Sequence, residues 1–237
     1  MTRRRWIADE VAGDSAALVG EHAAHLTRVL RVQAGQQFDI ACGEVVRRGT
    51  VSSVADDRVE FMLGEELSAQ VSTPITLLLA VFKFDRMEWA IEKCTELNVT
   101  SIVPVIARRT EKHLVQAAEK RIERWRRIAR ESAQQSRRSA APQIHDPVKL
   151  AGALDVDAKL RVVLAESERE ADLMDTLREF SAPASLALAV GPEGGWTPEE
   201  LKLMQDAGWV AASLGTTILR AETAAIAALA IARAFYA

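Results

Sequence analysis

The stretch that decides the fold is LAVGPEGGWTPEELKLMQDAGWVAASLGTTILRAET, residues 188–223. It holds two apolar runs, each entering a glycine-bearing loop and then a helical pattern. Residues 186–190 read as a short buried strand, and Gly191-Pro192-Glu193-Gly194-Gly195 ends it at once. Pro192 fixes its own φ and lacks an N–H, while Gly194 and Gly195 permit conformations and close approaches that a Cβ would block. Thr197-Pro198-Glu199-Glu200 predicts a helix start: Thr197 caps, Pro198 takes the first helical position and Glu200 closes a capping box. Residues 210–214 give the next predicted strand, with Gly215 at its exit and a long apolar helix from about residue 218. A loop at a strand's carboxyl end, beside a helix amino end, is where open α/β sheets bind ligands. Ordinary βα turns share this grammar, so spacing alone leaves both readings open.

Working outward, the rest of the carboxyl-terminal part repeats the same alternation. Residues 75–82 predict a strand, followed by a helix that Asp85 caps with Glu88 in the reciprocal position. Residues 101–106 predict a second strand ending at Arg108 and Arg109. A long helix over 114–137 then places Ile122, Trp125 and Ile128 inward. Residues 160–164 predict a third strand, and 168–180 an acidic helix. Such repetition argues for a mostly parallel sheet with helices on both faces, an open doubly wound α/β arrangement by pattern alone. Over 218–232 the last helix has only Arg220, Glu222 and Thr223 as polar side chains, so it must be covered all round, inside the monomer or at a subunit interface. In a helix Arg220 and Glu222 would lie about 200° apart, which disfavours a direct pair.

Residues 1–71 read differently. Strand-like runs at 37–40, 44–51 and 58–63 are punctuated by Gly35, Gly43, Gly49 and Asp56-Asp57, and a short helical piece spans 20–28. This predicts a small β-barrel or sandwich. His25 reads as a structural or surface histidine. Arg28 and Arg31, three apart in a helix-like segment, could share one phosphate or face water. The polar stretch 65–74 ends in Pro74, and the domain boundary falls there, giving domains 1–71 and 74–237.

The chain of 237 residues is 49% hydrophobic and 27% charged, an ordinary globular composition. The start, MTRRRWIADE, has no apolar core of a signal peptide, and no apolar run reaches membrane length. Cys42 and Cys94 are isolated, which argues against a disulfide scaffold or a zinc knuckle and makes a cytoplasmic setting the expectation. The net charge of −3 hides a segment, 120–138, in which eight basic side chains face two acidic ones. A local positive stripe matters for phosphate binding more than the total does. Arg126, Arg130, Arg137 and Arg138 of this stripe, with Arg3, Arg4, Arg5, Arg28 and Arg31, are the expected RNA-facing cations. No G-x-G-x-x-G, Walker A, HExxH or CxxC pattern occurs.

Taken together, GPEGG (191–195), SLG (213–215) and ILRAETA (218–224) resemble the cofactor loops of the RsmE family, knotted SPOUT-class methyltransferases acting on N3 of a uridine in 16S ribosomal RNA. The resemblance extends through HLTRVLR (25–31), KFDRMEWAIEKCTEL (83–97), VP (103–104), RW (124–125) and ESAQQSRR (131–138) with Pro142 and Ile144. It implies an amino-terminal PUA-like barrel for RNA, a carboxyl-terminal α/β domain with a trefoil knot, a homodimer, and S-adenosylmethionine as methyl donor. It implies small-subunit ribosomal RNA as partner, with no metal and no membrane. The family usually has Gly at Asn98, Phe at Trp196 and Arg at Thr217, and often Thr at Ala221. Asn98 can adopt the left-handed conformation that a glycine would serve.

Carried over residue by residue, the cofactor walls are Leu164, Ala165 and Glu166, then Gly191, Pro192, Glu193, Gly194 and Gly195. Ser213, Leu214, Gly215, Ile218, Leu219 and Arg220 complete them. Uracil N3 carries a proton in its neutral form, so a base or a group stabilising the developing anion is needed. Glu193 and Glu222 are the candidate bases, and Arg220 the candidate for a phosphate or a uracil oxygen; capping and ion-pair roles compete for each. Methylation of a ribose 2′-hydroxyl or of another base, and a non-catalytic ribosome-assembly role, are the alternatives.

Overall fold

A computed structural model describes residues 5–43, 45–67, 72–136, 138–168, 170–180 and 184–236. The chain divides into two units, 1–71 with 133–141, and 72–132 with 142–237.

The first unit holds β1 (Arg5–Ile7), β2 (Glu10–Ala12), β3 (Ser15–Val19), α1 (Glu21–Ala24), β4 (Gln37–Cys42), β5 (Val45–Val54) and β6 (Arg58–Leu67). These strands form one sheet in the order β1-β4-β5-β6-β3-β2, antiparallel except where β1 runs beside β4. Trp6, Leu18, Leu26, Ile40, Val59 and Phe61 fill its core. The sequence pattern finds β4 to β6 but not β1 to β3. Those three are short, and Ala16 and Ala17 have weak strand propensity; pairing of β3 with both β2 and β6 makes them strand. The helical piece expected at 20–28 is present, as one α-helical turn, α1, followed by a π-helical turn, His25–Val29. Arg31 lies beyond that turn at φ 50, so Arg28 and Arg31 do not share a regular helix face.

The second unit runs β7 (Ile75–Ala80), α2 (Phe84–Glu96), β8 (Ser101–Ile106), α3 (Lys112–Ala118), α4 (Ile122–Gln135), β9 (Gln143–Ile144), β10 (Val148–Lys149) and β11 (Leu160–Leu164). It continues with α5 (Leu173–Glu179), β12 (Leu186–Val190), α6 (Pro198–Asp206), β13 (Val210–Ala212) and α7 (Ala221–Phe235). The strand order is β10-β8-β7-β12-β11-β13, with β9 also on β8, and every pair is parallel. Parallel strands buried on both faces read as continuous apolar runs, as ITLLLA and LALAV do. Leu77 and Leu79 pack with α2, α4 and α7, while Leu78 and Ala80 face the side of α6 with Trp196, Met204 and Trp209. Helices on both faces of a parallel sheet are therefore what the structure has.

Four helix expectations change. The cap of α2 is Lys83, with no side-chain capping bond, and Asp85 lies inside the first turn. Glu88 instead receives Arg124 at 2.6 Å and 2.7 Å, tying α2 to α4. The predicted 114–137 helix is α3 and α4, separated by a 3-10 turn at Glu119–Arg121, and the acidic helix shrinks to α5. The apolar helix starts at Ala221, so Ile218 and Leu219 precede it and Arg220 is its cap. Asn98 does take a left-handed φ of 64. Cys42 and Cys94 are free thiols, and burial pushes Cys94 up to about 12. No helix among the described residues is long and apolar enough to cross a membrane.

Candidate functional site

The carboxyl ends of β11, β12 and β13 each release a loop, and the three loops meet around one cavity of about 670 Å³. All fourteen residues expected at the cofactor walls line it: Leu164, Ala165 and Glu166 after β11, 191–195 after β12, and Ser213, Leu214, Gly215, Ile218, Leu219 and Arg220 after β13. The local sequence explains why the loops stand there. Gly195 N–H donates to the Pro192 carbonyl at 2.8 Å, closing a turn in which Gly195 holds φ 68. Gly215, at φ 111, follows β13, and a Cβ added there would meet nothing within 4 Å. Bare backbone therefore faces open cavity at that position.

The capping box of α6 forms as the sequence predicts, and it does more than start a helix. Thr197 N–H donates to Glu200 Oε2 at 2.9 Å, and Glu200 N–H donates to Thr197 Oγ1 at 3.3 Å. The other carboxylate oxygen, Glu200 Oε1, accepts from Arg108 N–H at 2.7 Å. One buried carboxylate thus braces the loop after β12 against the loop after β8. The anion of the neighbouring Glu199 is held by its own N–H, then by the Thr197 hydroxyl and by Arg108 and Arg109, which lowers its pKa. Glu200→Ala leaves two backbone donors without partners in a partly buried place, at about 2 kcal/mol. For a chain of this size a melting point lower by about 4–8 °C is expected in calorimetry, together with weaker ligand binding in the cavity. An unchanged melting point would deny the brace.

Two cations of the cavity wall were missed from sequence. Arg86 comes from α2 and Arg109 from the loop after β8. Arg109 donates to the Gly194 carbonyl at 2.5 Å and to the Trp196 carbonyl at 3.4 Å, and its side chain lies 3.2 Å from where a Cβ on Gly194 would stand. The available signal was the position of Arg108-Arg109 at a strand's carboxyl end, the edge where such sheets hold ligands. Arg86 donates to Glu193 Oε1 at 3.0 Å and approaches Glu222 Oε1 at 3.8 Å. No spacing rule connects it to residues more than a hundred positions away.

The candidate bases separate. Glu193 lines the cavity. Glu222 is 4% exposed, in the first turn of α7, and is not among the lining residues. Its Oε2 is buried with no hydrogen-bond partner. Glu222 therefore stands behind the cavity wall and Glu193 on it. Arg220 is exposed at the rim.

The expected RNA-facing cations occupy separate elements. Arg28 and Arg31 are exposed in the first unit, and Arg130 is exposed on α4. Arg126 is already engaged, by Glu123 at 2.7 Å, Asp146 at 3.0 Å and the Ile144 carbonyl at 3.2 Å. Arg124 and Arg127 are likewise paired with Glu88 and Glu131. The +6 stripe is thus partly neutralised by its neighbours, a correction that charge counting over 120–138 could not supply. Arg5 lies in β1 and Arg138 follows α4, while Arg3, Arg4 and Arg137 lie outside the described residues.

The comparison with known proteins starts from the class. Residues 69–233 match a family model described as an RNA methyltransferase domain. The chain is 32% identical over 225 residues to ribosomal RNA small subunit methyltransferase E of Bacillus subtilis, covering 90% of this chain and 87% of that protein. It is 33% identical over 210 residues to the Synechocystis protein of the same name, covering 87% and 68%. A crystal structure of ribosomal RNA small subunit methyltransferase E from Neisseria gonorrhoeae, bound to S-adenosyl methionine, superposes with a TM-score of 0.84 at 28% identity, over 99% of this chain and 98% of that one. The chain belongs to the ribosomal RNA small subunit methyltransferase E family, the RsmE family its motifs resemble. Its fold is the α/β methyltransferase fold of that family.

Proposed function

We propose that the protein transfers a methyl group from S-adenosylmethionine to N3 of one uridine of small-subunit ribosomal RNA. The observation that carries this is the cavity itself: family loops from three adjacent strand ends converge on it, and its wall is built of what the donor needs. Its volume falls in the range of small-molecule sites. Leu164, Val190, Leu214 and Leu219 offer apolar contact for an adenine, and the backbone of 191–195 and 213–215 offers donors and acceptors. Open space beside Gly215 lets a ligand approach main chain. Glu166 and Glu193 supply negative charge for a cationic donor. The residues fit the group.

When bound, S-adenosylmethionine supplies an electrophilic methyl carbon on a sulfonium. The chain's own task is alignment and charge. In this reading Glu193 accepts the N3 proton. Arg86 engages its Oε1, and Oε2 is the oxygen left without a hydrogen bond among the described residues. Arg220 steadies the charge that develops on the uracil oxygens. Residues 1–71 act as a PUA-like barrel that holds RNA through Arg28 and Arg31, with Arg130 and the remaining arginines of the stripe adding phosphate contacts. Residues 74–237 carry the SPOUT trefoil knot, and α7 joins a homodimer. Half-buried Ile226, Ala230 and Ile231 on α7, and Trp89 on α2 at 47% exposure, support that seam. The setting is the cytoplasm, on an assembled or nearly assembled subunit.

Nucleoside mass spectrometry of small-subunit RNA from cells lacking the gene tests the reading. Loss of 3-methyluridine, restored by the purified protein with S-adenosylmethionine on isolated subunits, is expected. Loss of a ribose-methylated nucleoside instead, or of none, would overturn it.

A further inference from the structure

Among the described residues, Arg86 pairs with both Glu193 and Glu222. Its guanidinium donates through Nη1 to Glu193 Oε1 at 3.0 Å, and its Nε stands 3.8 Å from Glu222 Oε1. The three residues come from separate places: α2, the loop after β12, and the first turn of α7. Arg86 and Glu193 are each 31% exposed by side chain, while Glu222 is 5% exposed. A buried carboxylate is tolerated when a cation and a helix amino end stabilise it, and Glu222 has both. Its Oε2 is buried with no hydrogen-bond partner among the described residues. The guanidinium is therefore flanked by a buried carboxylate at ion-pair distance, and its Nη1–H holds Glu193 of the 191–195 loop.

We propose that Arg86 is a positioning residue of the methyl-transfer site, a clamp that fixes the loop after β12 to the first turn of α7. The proposal rests on the methyltransferase reading for its meaning, but not for its test. A planar guanidinium with several fixed donors can serve two carboxylates at once, whereas an ammonium on a flexible stem cannot hold the same geometry. Without the clamp, Glu193 swings free and the turn around Gly195 loses its outer tether. The loop then samples arrangements that do not bind the donor, and affinity falls by the fraction of competent molecules.

The test uses the full chain, with S-adenosylhomocysteine as calorimetric probe and hydrogen exchange at the amides of Gly191, Glu193, Gly194 and Gly195 as a readout that needs no ligand. Arg86→Met is expected to weaken S-adenosylhomocysteine binding at least tenfold and to speed exchange in that loop. Arg86→Lys should recover only part of each. Combining Arg86→Met with Glu193→Gln should cost no more affinity than the worse single change, because both break one link. If Arg86→Met does not fold because Glu222 is stranded, Arg86→Met with Glu222→Gln removes the buried charge and carries the same expectation. Parental affinity and parental exchange in either folded variant, or losses that multiply in the Glu193 pair, would overturn the clamp. Failure of the parent protein to bind S-adenosylhomocysteine would instead count against the methyltransferase reading, and the exchange measurement would still decide the clamp.

Discussion

Gly195→Val is expected to reduce affinity for S-adenosylmethionine by a hundredfold or more, about 2.7 kcal/mol, with methylation lost as a consequence. Two effects add. Gly195 holds φ 68, a left-handed conformation in which a β-branched residue costs about 1–3 kcal/mol. The new side chain also enters the cavity: the nearest protein atoms to an added Cβ are Arg109 Nη1 and Glu166 Oε2, both at 4.0 Å. The protein's own wall does not block it, so the obstruction falls on the ligand. Gly191 and Gly194 differ, since a Cβ on either presses on Trp196 or Arg109 at 3.2 Å and would disturb the wall. Gly195→Asn separates the two effects, because asparagine tolerates the left-handed region yet still fills the space. Binding by calorimetry should then rank parent, Asn and Val in falling order. Normal donor binding by Gly195→Val would dismiss the 191–195 turn as a ligand wall.

What the sequence made legible was whatever rests on local chemistry. The strands Ser101–Ile106, Leu160–Leu164 and Leu186–Val190 match their apolar runs, and Thr197 with Glu200 makes the box its spacing predicts. The cavity loops were legible through punctuation, glycine and proline after an apolar run. What stayed hidden depends on partners far along the chain. Asp85 and Glu88 satisfy the local grammar of a cap, yet Glu88 finds a stronger partner in Arg124 across two helices. Helical geometry does not apply between Arg220 and Glu222, since Arg220 is the extended cap of α7, and the partner Glu222 has, Arg86, is 136 positions away and left no signal in spacing. The strands β1 to β3 are made by pairing, not by their own composition. The arginine stripe misled in the opposite direction, since counting charge along 120–138 omits Glu88 and Asp146, which neutralise it from outside.

Arg220→Ala should lower turnover at least tenfold, about 1.4 kcal/mol of transition-state stabilisation, while leaving the melting point unchanged or slightly higher. That pairing of signs follows from its position. Arg220 caps α7 with φ −66 and ψ 154 and makes no side-chain capping bond. It is exposed at the cavity rim, and its guanidinium has no ion pair or hydrogen bond among the described residues. A cation at the positive end of a 15-residue helix is disfavoured by roughly 0.3–1 kcal/mol. Sequences retain such local violations where a ligand repays them. An anion satisfies both the guanidinium and the uncapped N–H groups of the first turn, as a phosphate or a charge-bearing uracil oxygen would. The competing role, a strut at the proposed dimer seam, predicts other signs: a lower melting point and weaker self-association first, with turnover falling only as that association is lost. Measuring turnover, melting temperature and sedimentation on Arg220→Ala, with Arg220→Lys as the charge-conserving control, separates the two. A stable Arg220→Ala protein with parental oligomeric state and parental turnover would remove Arg220 from the chemistry of the site.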